Sequence, residues 1–206
     1  MSLQIEALSP IMWTIIIAVA LVLIAAVVFT WKSSAMSTRK MVTIAMLTAV
    51  YVVLNFAGTV RLGWSLPVIV GAMLYGPVGG LLVGLLGAFM GQLLTYGVTA
   101  TTILWILPQA ARGLLVGVYA KHCGYKFSSG QLTLALIGTA LVVTALNTGA
   151  MYIDSVIYNY YSYAYVFGGL VVRIISGAAT AVLMVFVAPP VVNLLNRSLD
   201  TVRTAQ

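Results

Sequence analysis

Uncharged apolar runs, each long enough to cross a bilayer and separated by short polar segments, dominate the chain. Ile11–Trp31 holds 21 residues without a charge. As a helix it is about 31 Å long, against a hydrocarbon core of about 30 Å, and it predicts a first membrane span. Met41–Val60 predicts a second. Residues 62–111 carry no charge at all, which is too long a stretch for one helix, and glycine and proline divide it. Trp64–Tyr75 reads as a short span, Gly76-Pro77 as a turn, Val78–Leu94 as a span and Thr95–Thr101 as a loop. Thr102–Ala120, Leu132–Ile153 and Phe167–Leu195 follow, with Arg112 and Arg173 inside two of them. The pattern predicts an all-α polytopic membrane protein.

Composition agrees and adds an orientation. Only 6% of the residues are charged, against about 25% in ordinary soluble domains, and the mean hydropathy is +1.11. Ten Lys/Arg face three acids, Glu6, Asp154 and Asp200. The basic residues punctuate the apolar runs instead of clustering, so they point to membrane topology and not to a nucleic-acid partner. Alternating through the spans puts Lys32, Arg39, Lys40, Lys121, Lys126, Arg197 and Arg203 on one face, the expected cytoplasmic one, and leaves Arg61 on the other. The N-terminus and the segment around residue 160 are then external and the C-terminus cytoplasmic. Glu6 precedes the first span and no basic run does, so that span does not read as a signal peptide. The single cysteine, Cys123, excludes an internal disulfide, and His122 beside it is a weak metal signal. No metal or cofactor is expected. The chain lacks a G-x-x-x-x-G-K-[ST] loop and any paired carboxylates, which argues against ATP hydrolysis and against an enzyme.

Polar residues inside spans carry the functional signal, because hydrocarbon penalises them unless they face a partner or a cavity. Helical spacing puts Trp105, Gln109 and Arg112 on one face, Asn147, Met151 and Asp154 on a second, and Arg173, Ser176 and Thr180 on a third. Three such faces can converge on one internal cavity. Alternatively, Asp154 pairs with Arg173 or Arg61 and ties helices together. The stretch "YIDSVIYNYYSYAYVF" gathers six of the eleven tyrosines. Some suit a headgroup belt, whereas Tyr152, Asp154 and one or two of Tyr158, Tyr160 and Tyr161 are expected to line or close the site. Arg61, Arg173 and Arg112 favour an anionic ligand, while Trp64, Trp105 and the tyrosines offer flat faces to a conjugated ring. Glycines at 76, 80, 84, 87 and 91 share a helix face and predict tight helix packing, and Ala45 and Ala49 form a second small-residue pair.

"STRKMVTIAMLTAVYVVLNF" followed by "LPVIVGAMLYGPVGGLLVGLLGAFMGQLL" resembles the substrate-binding S components of energy-coupling factor (ECF) transporters, over about residues 37–195. The resemblance implies a six-helix membrane domain at 37–206 and makes residues 1–36 an extra N-terminal transmembrane helix that six-span members lack. It implies a high-affinity capture subunit of a vitamin or micronutrient importer in a bacterial cell membrane. The implied partners are a transmembrane coupling protein, which Ala45 and Ala49 would face, and two cytosolic ATPases. The glycine run is most similar to the folate group of S components. It departs from that group at Ala88, where an acid is usual, and at "TYGVTATTILW", where a Pro-Gly-aromatic stretch is usual. A tetrapyrrole, pantothenate or queuosine-type precursor remains an alternative ligand, and a non-transporting scaffold subunit an alternative role.

Overall fold

Within a bilayer each backbone N–H and C=O must be paired inside the protein, and this chain meets the demand with helices. The computed structural model describes residues 10–32, 37–57 and 62–204. Among these the order is α1 (Pro10–Lys32), α2 (Thr38–Phe56), α3 (Leu62–Tyr96), α4 (Thr102–His122), α5 (Ser129–Ile157), α6 (Tyr163–Phe167) and α7 (Leu170–Thr204), with no strand among the described residues. Five segments are long and apolar enough to cross a membrane: Thr38–Phe56, Ser65–Tyr96, Thr102–His122, Ser129–Ile157 and Tyr163–Ser198. In α1 the described apolar stretch is Ile16–Ala25. Ser37 caps α2, its hydroxyl accepting from the Lys40 amide at 3.4 Å.

The third helix reverses direction. Gly76 has φ 68°, a conformation that a Cβ would strain, and Pro77 opens the next arm, where its missing N–H costs nothing. In a continuous helix residues 71 and 79 would lie about 12 Å apart. Instead a Cβ built on Gly79 falls 2.4 Å from the Gly71 carbonyl oxygen, and one on Gly71 falls 3.0 Å from Val83 Cγ2. The chain therefore folds back at Gly76 into antiparallel arms, 62–75 and 77–96. With the arms separated, α2, the two arms, α4, α5 and α7 form a six-helix set, to which α1 is added.

This hairpin is the centre of the bundle, and Val68, Val70, Ala72 and Val83 on it are buried. Its second arm meets α4 at backbone distance. A Cβ on Gly113 would fall 1.9 Å from the Gly80 carbonyl oxygen, and one on Gly80 2.2 Å from that of Gly113. Farther along the same arm, Gly87 and Gly91 lie against Tyr51 and Asn55 of α2. The glycine row thus serves two neighbours, α4 first and then α2. Leu23 of α1 packs with Leu81 and Ala110, covering the outside of the α3–α4 pair. The α5–α7 pair closes the other side through contacts with α4 and α3.

Two surfaces are set by this arrangement. Ala45 and Ala49 lie on the outward face of α2, among exposed Met41, Val42, Met46 and Val50. Arg39, Lys40, Lys121, Lys126 and Arg197 gather at the end where α2 and α5 begin and α4 and α7 finish, and the tyrosine-rich segment lies at the opposite end.

Candidate functional site

A cavity of about 430 Å³ occupies the half of the bundle nearest the tyrosine-rich end, within the usual range for small-molecule sites. It extends from Thr95 and Tyr96 at the end of α3 to Met184 and to Val116 and Leu136, which lie past the midpoints of α4 and α5. The three polar faces meet there: Trp105, Gln109 and Arg112 from α4, Asn147 and Met151 from α5, and Arg173, Ser176 and Thr180 from α7. The two arginines are held differently. Arg173 donates to the carbonyls of Val166 and Gly169 and touches the Met151 sulfur, so its guanidinium braces the turn into α7. Arg112 is ten residues from either end of α4, about 15 Å from each. Its Nη1 is buried without a hydrogen-bond partner, and so is Oε1 of Gln109 one turn away.

Asp154 does not pair with Arg173. One oxygen accepts from the Thr101 hydroxyl and, at 3.4 Å, from Trp105 Nε1, and the other accepts from the Tyr160 hydroxyl. Both carboxylate oxygens are engaged, by three donors from three segments: the α3–α4 loop, α4 and the α5–α6 loop. Thr101 is braced in turn by Thr99, which also bonds Thr102 at 3.0 Å. Burial, followed by its bond to Asp154, holds the Tyr160 phenol above its ordinary pKa. Asp154 is 8% exposed and stands behind the cavity wall, orienting Trp105 instead of facing the space itself.

The tyrosines expected to close the site point elsewhere. Tyr152 and Tyr161 stack edge to face on each other at 5.5 Å, and Tyr158 is exposed at the end of α5. None of the three lines the cavity. Their amphipathic rings prefer the polar boundary of the bundle to its interior. Arg61 and the side chain of Trp64 lie outside the described residues.

Residues 39–192 match the family model of the ECF transporter substrate-specific component. The chain belongs to this family. No curated protein and no solved structure matches it. It is a multi-pass membrane subunit that binds the substrate of an ECF transporter, and Ile11–Trp31 precedes the matched region.

Several cavity residues of this S component were missed by the reading of polar faces. Tyr51 and Asn55 of α2 line the cavity, as do Gln92 and Thr95 of α3 and Thr139 and Thr144 of α5. Asn55 and Gln92 carried a usable signal, since each is an amide inside an apolar run. The Tyr51–Asn55 pair at i, i+4 marks the same inward face of α2. The threonines did not, because a threonine hydroxyl can bond its own helix backbone, as Thr139 and Thr144 do to Ala135 and Ala140.

Proposed function

We propose that this S component captures a flat, anionic micronutrient of the vitamin class, such as folate, from outside a bacterial cell. The basic residues gathered at one end support a cytoplasmic C-terminus and an external N-terminus, which turns the cavity end outward. Trp105 and Tyr96 supply aromatic faces, four amides (Asn55, Gln92, Gln109 and Asn147) supply directional hydrogen bonding, and Arg112 supplies a cation. The buried Nη1 of Arg112, which has no hydrogen-bond partner in a cavity that Trp105 and Tyr96 also line, is the observation that carries this reading. Release is driven by a transmembrane coupling protein and two cytosolic ATPases. The coupling protein docks on the outward face of α2, where Ala45 and Ala49 let another helix approach closely.

The test joins capture to transport. Mass spectrometry of the purified protein should find a co-purified aromatic acid, and Ala49→Trp should retain that molecule while uptake in cells falls to background. Recovery of no small molecule, together with no thermal stabilisation by any vitamin, sinks the capture reading. Equal loss of binding and uptake in Ala49→Trp removes the docking role of the α2 face.

A further inference from the structure

We propose that Arg112 and Gln109 form a mid-membrane receptor for the deep end of the ligand, which carries an anionic group with an N–H or O–H donor beside it. Resting on the ligand reading above, this assigns which end of the molecule enters first and what its chemistry must be.

Four observations converge. Asp154 is the only acid between Glu6 and Asp200, and both its oxygens are taken by Thr101, Trp105 and Tyr160. It supplies no counter-charge to Arg112, whose Nη1 has no partner. The second observation separates two arginines that the sequence ranks alike. Arg173 commits its Nε and one Nη to the Gly169 and Val166 carbonyls, which fixes it at the turn into α7, whereas Arg112 Nη1 is buried with no partner. Third, Gln109 precedes Arg112 by three positions and so shares its helix face. Its unpartnered Oε1 is an acceptor beside a donor, a pair that a lone carboxylate cannot satisfy but that a carboxylate flanked by N–H or O–H can. Fourth, the neighbouring wall brings no counter-charge: the apolar Val116, Leu136 and Met184 stand there with the neutral Tyr51 and Thr139. Little there competes for the anion, and the low local dielectric strengthens its attraction to the guanidinium.

An unpaired cation at this depth is strongly disfavoured, which is why intramembrane arginines mark ligand or ion sites. A planar fork suits a carboxylate through two parallel hydrogen bonds. The ring of the ligand then stays near Trp105 and Tyr96, closer to the tyrosine-rich end. Trp105 is held for that contact by Asp154. The site reads a molecule from its charged tip upward.

Isothermal titration calorimetry on the purified full-length chain tests this with matched pairs: folate against its bis-amide, and pantothenate against pantothenol. The acid that binds should do so at least about 30-fold more tightly than its neutral counterpart, the factor expected when one member of a buried charge pair is removed. Arg112→Gln should reduce affinity for the acid by a similar factor and leave the neutral compound unchanged, and Arg112→Lys should recover part of the loss. Asn147→Ala should weaken both members alike. Equal affinity of the unaltered chain for acid and neutral forms overturns the receptor, and this comparison needs no variant to fold. Binding by none of the four compounds instead overturns the ligand reading on which the receptor rests.

Discussion

Asp154 and Arg112 both look like buried charges in the sequence, yet their surroundings give them opposite roles. Asp154 has both oxygens engaged by three donors and fixes the positions of Trp105, Thr101 and Tyr160, whereas Arg112 Nη1 has no partner. Removing a charged acceptor leaves its donors without partners. Asp154→Ala should therefore cost about 3 kcal/mol of stability and loosen Trp105, so affinity falls as well. Tyr160→Phe deletes one donor to a charged acceptor and should cost less, about 2 kcal/mol. Thermal unfolding in detergent with and without ligand reads both effects, and an Asp154→Ala protein as stable as the parent would show that the three bonds form no latch. The sequence grouped Asp154 with Asn147 and Met151 on one face of α5, but only those two line the cavity, and the partners of Asp154 could not be read from it. Thr101 is 53 positions away, and the encounter depends on how two loops fold over the end of the bundle. The direction of the tyrosines was hidden for the same reason.

At the scale of the helices, local chemistry carried farther. Gly76-Pro77 announced the reversal in α3 because a positive φ and a proline at the first helical position are properties of those two residues alone. The spacing of the glycines announced a close contact, but not that Gly80 meets Gly113 while Gly87 meets Tyr51, since a repeat on one helix does not name the neighbour. The close approach makes a paired prediction possible. Gly113→Ala drives a methyl into the Gly80 backbone, which cannot yield as a flexible side chain does, and should destabilise the protein by about 3 kcal/mol or prevent assembly of the α3–α4 pair. Gly138→Ala lies in α5 with nothing within 4 Å of the added carbon. It should be neutral or stabilising by up to about 1 kcal/mol through reduced backbone freedom. Monodispersity and thermal midpoint of the two purified variants check this, and similar behaviour of both would mean that α3 and α4 are not held at backbone distance.

For the whole molecule, the decisive property is which end faces the outside. Positively charged flanks are retained on the cytoplasmic side of a membrane, and Arg39, Lys40, Lys121, Lys126 and Arg197 share one end of this bundle. The cavity occupies the other half. An importer that captures its ligand outside needs that relation, because a cavity opening toward the cytoplasm would bind what has already been delivered. The chain offers its own reporter, since Cys123 is its single cysteine and lies partly exposed just after α4, between Lys121 and Lys126. A membrane-impermeant maleimide should leave Cys123 unlabelled in intact cells and label it once the membrane is permeabilised. Tyr163, 72% exposed at the opposite end, gives the complementary position. Tyr163→Cys in a Cys123→Ser background should label in intact cells. The reverse pattern would put the basic end outside and the cavity inside, and external capture by this bundle would then be untenable however well it binds a vitamin.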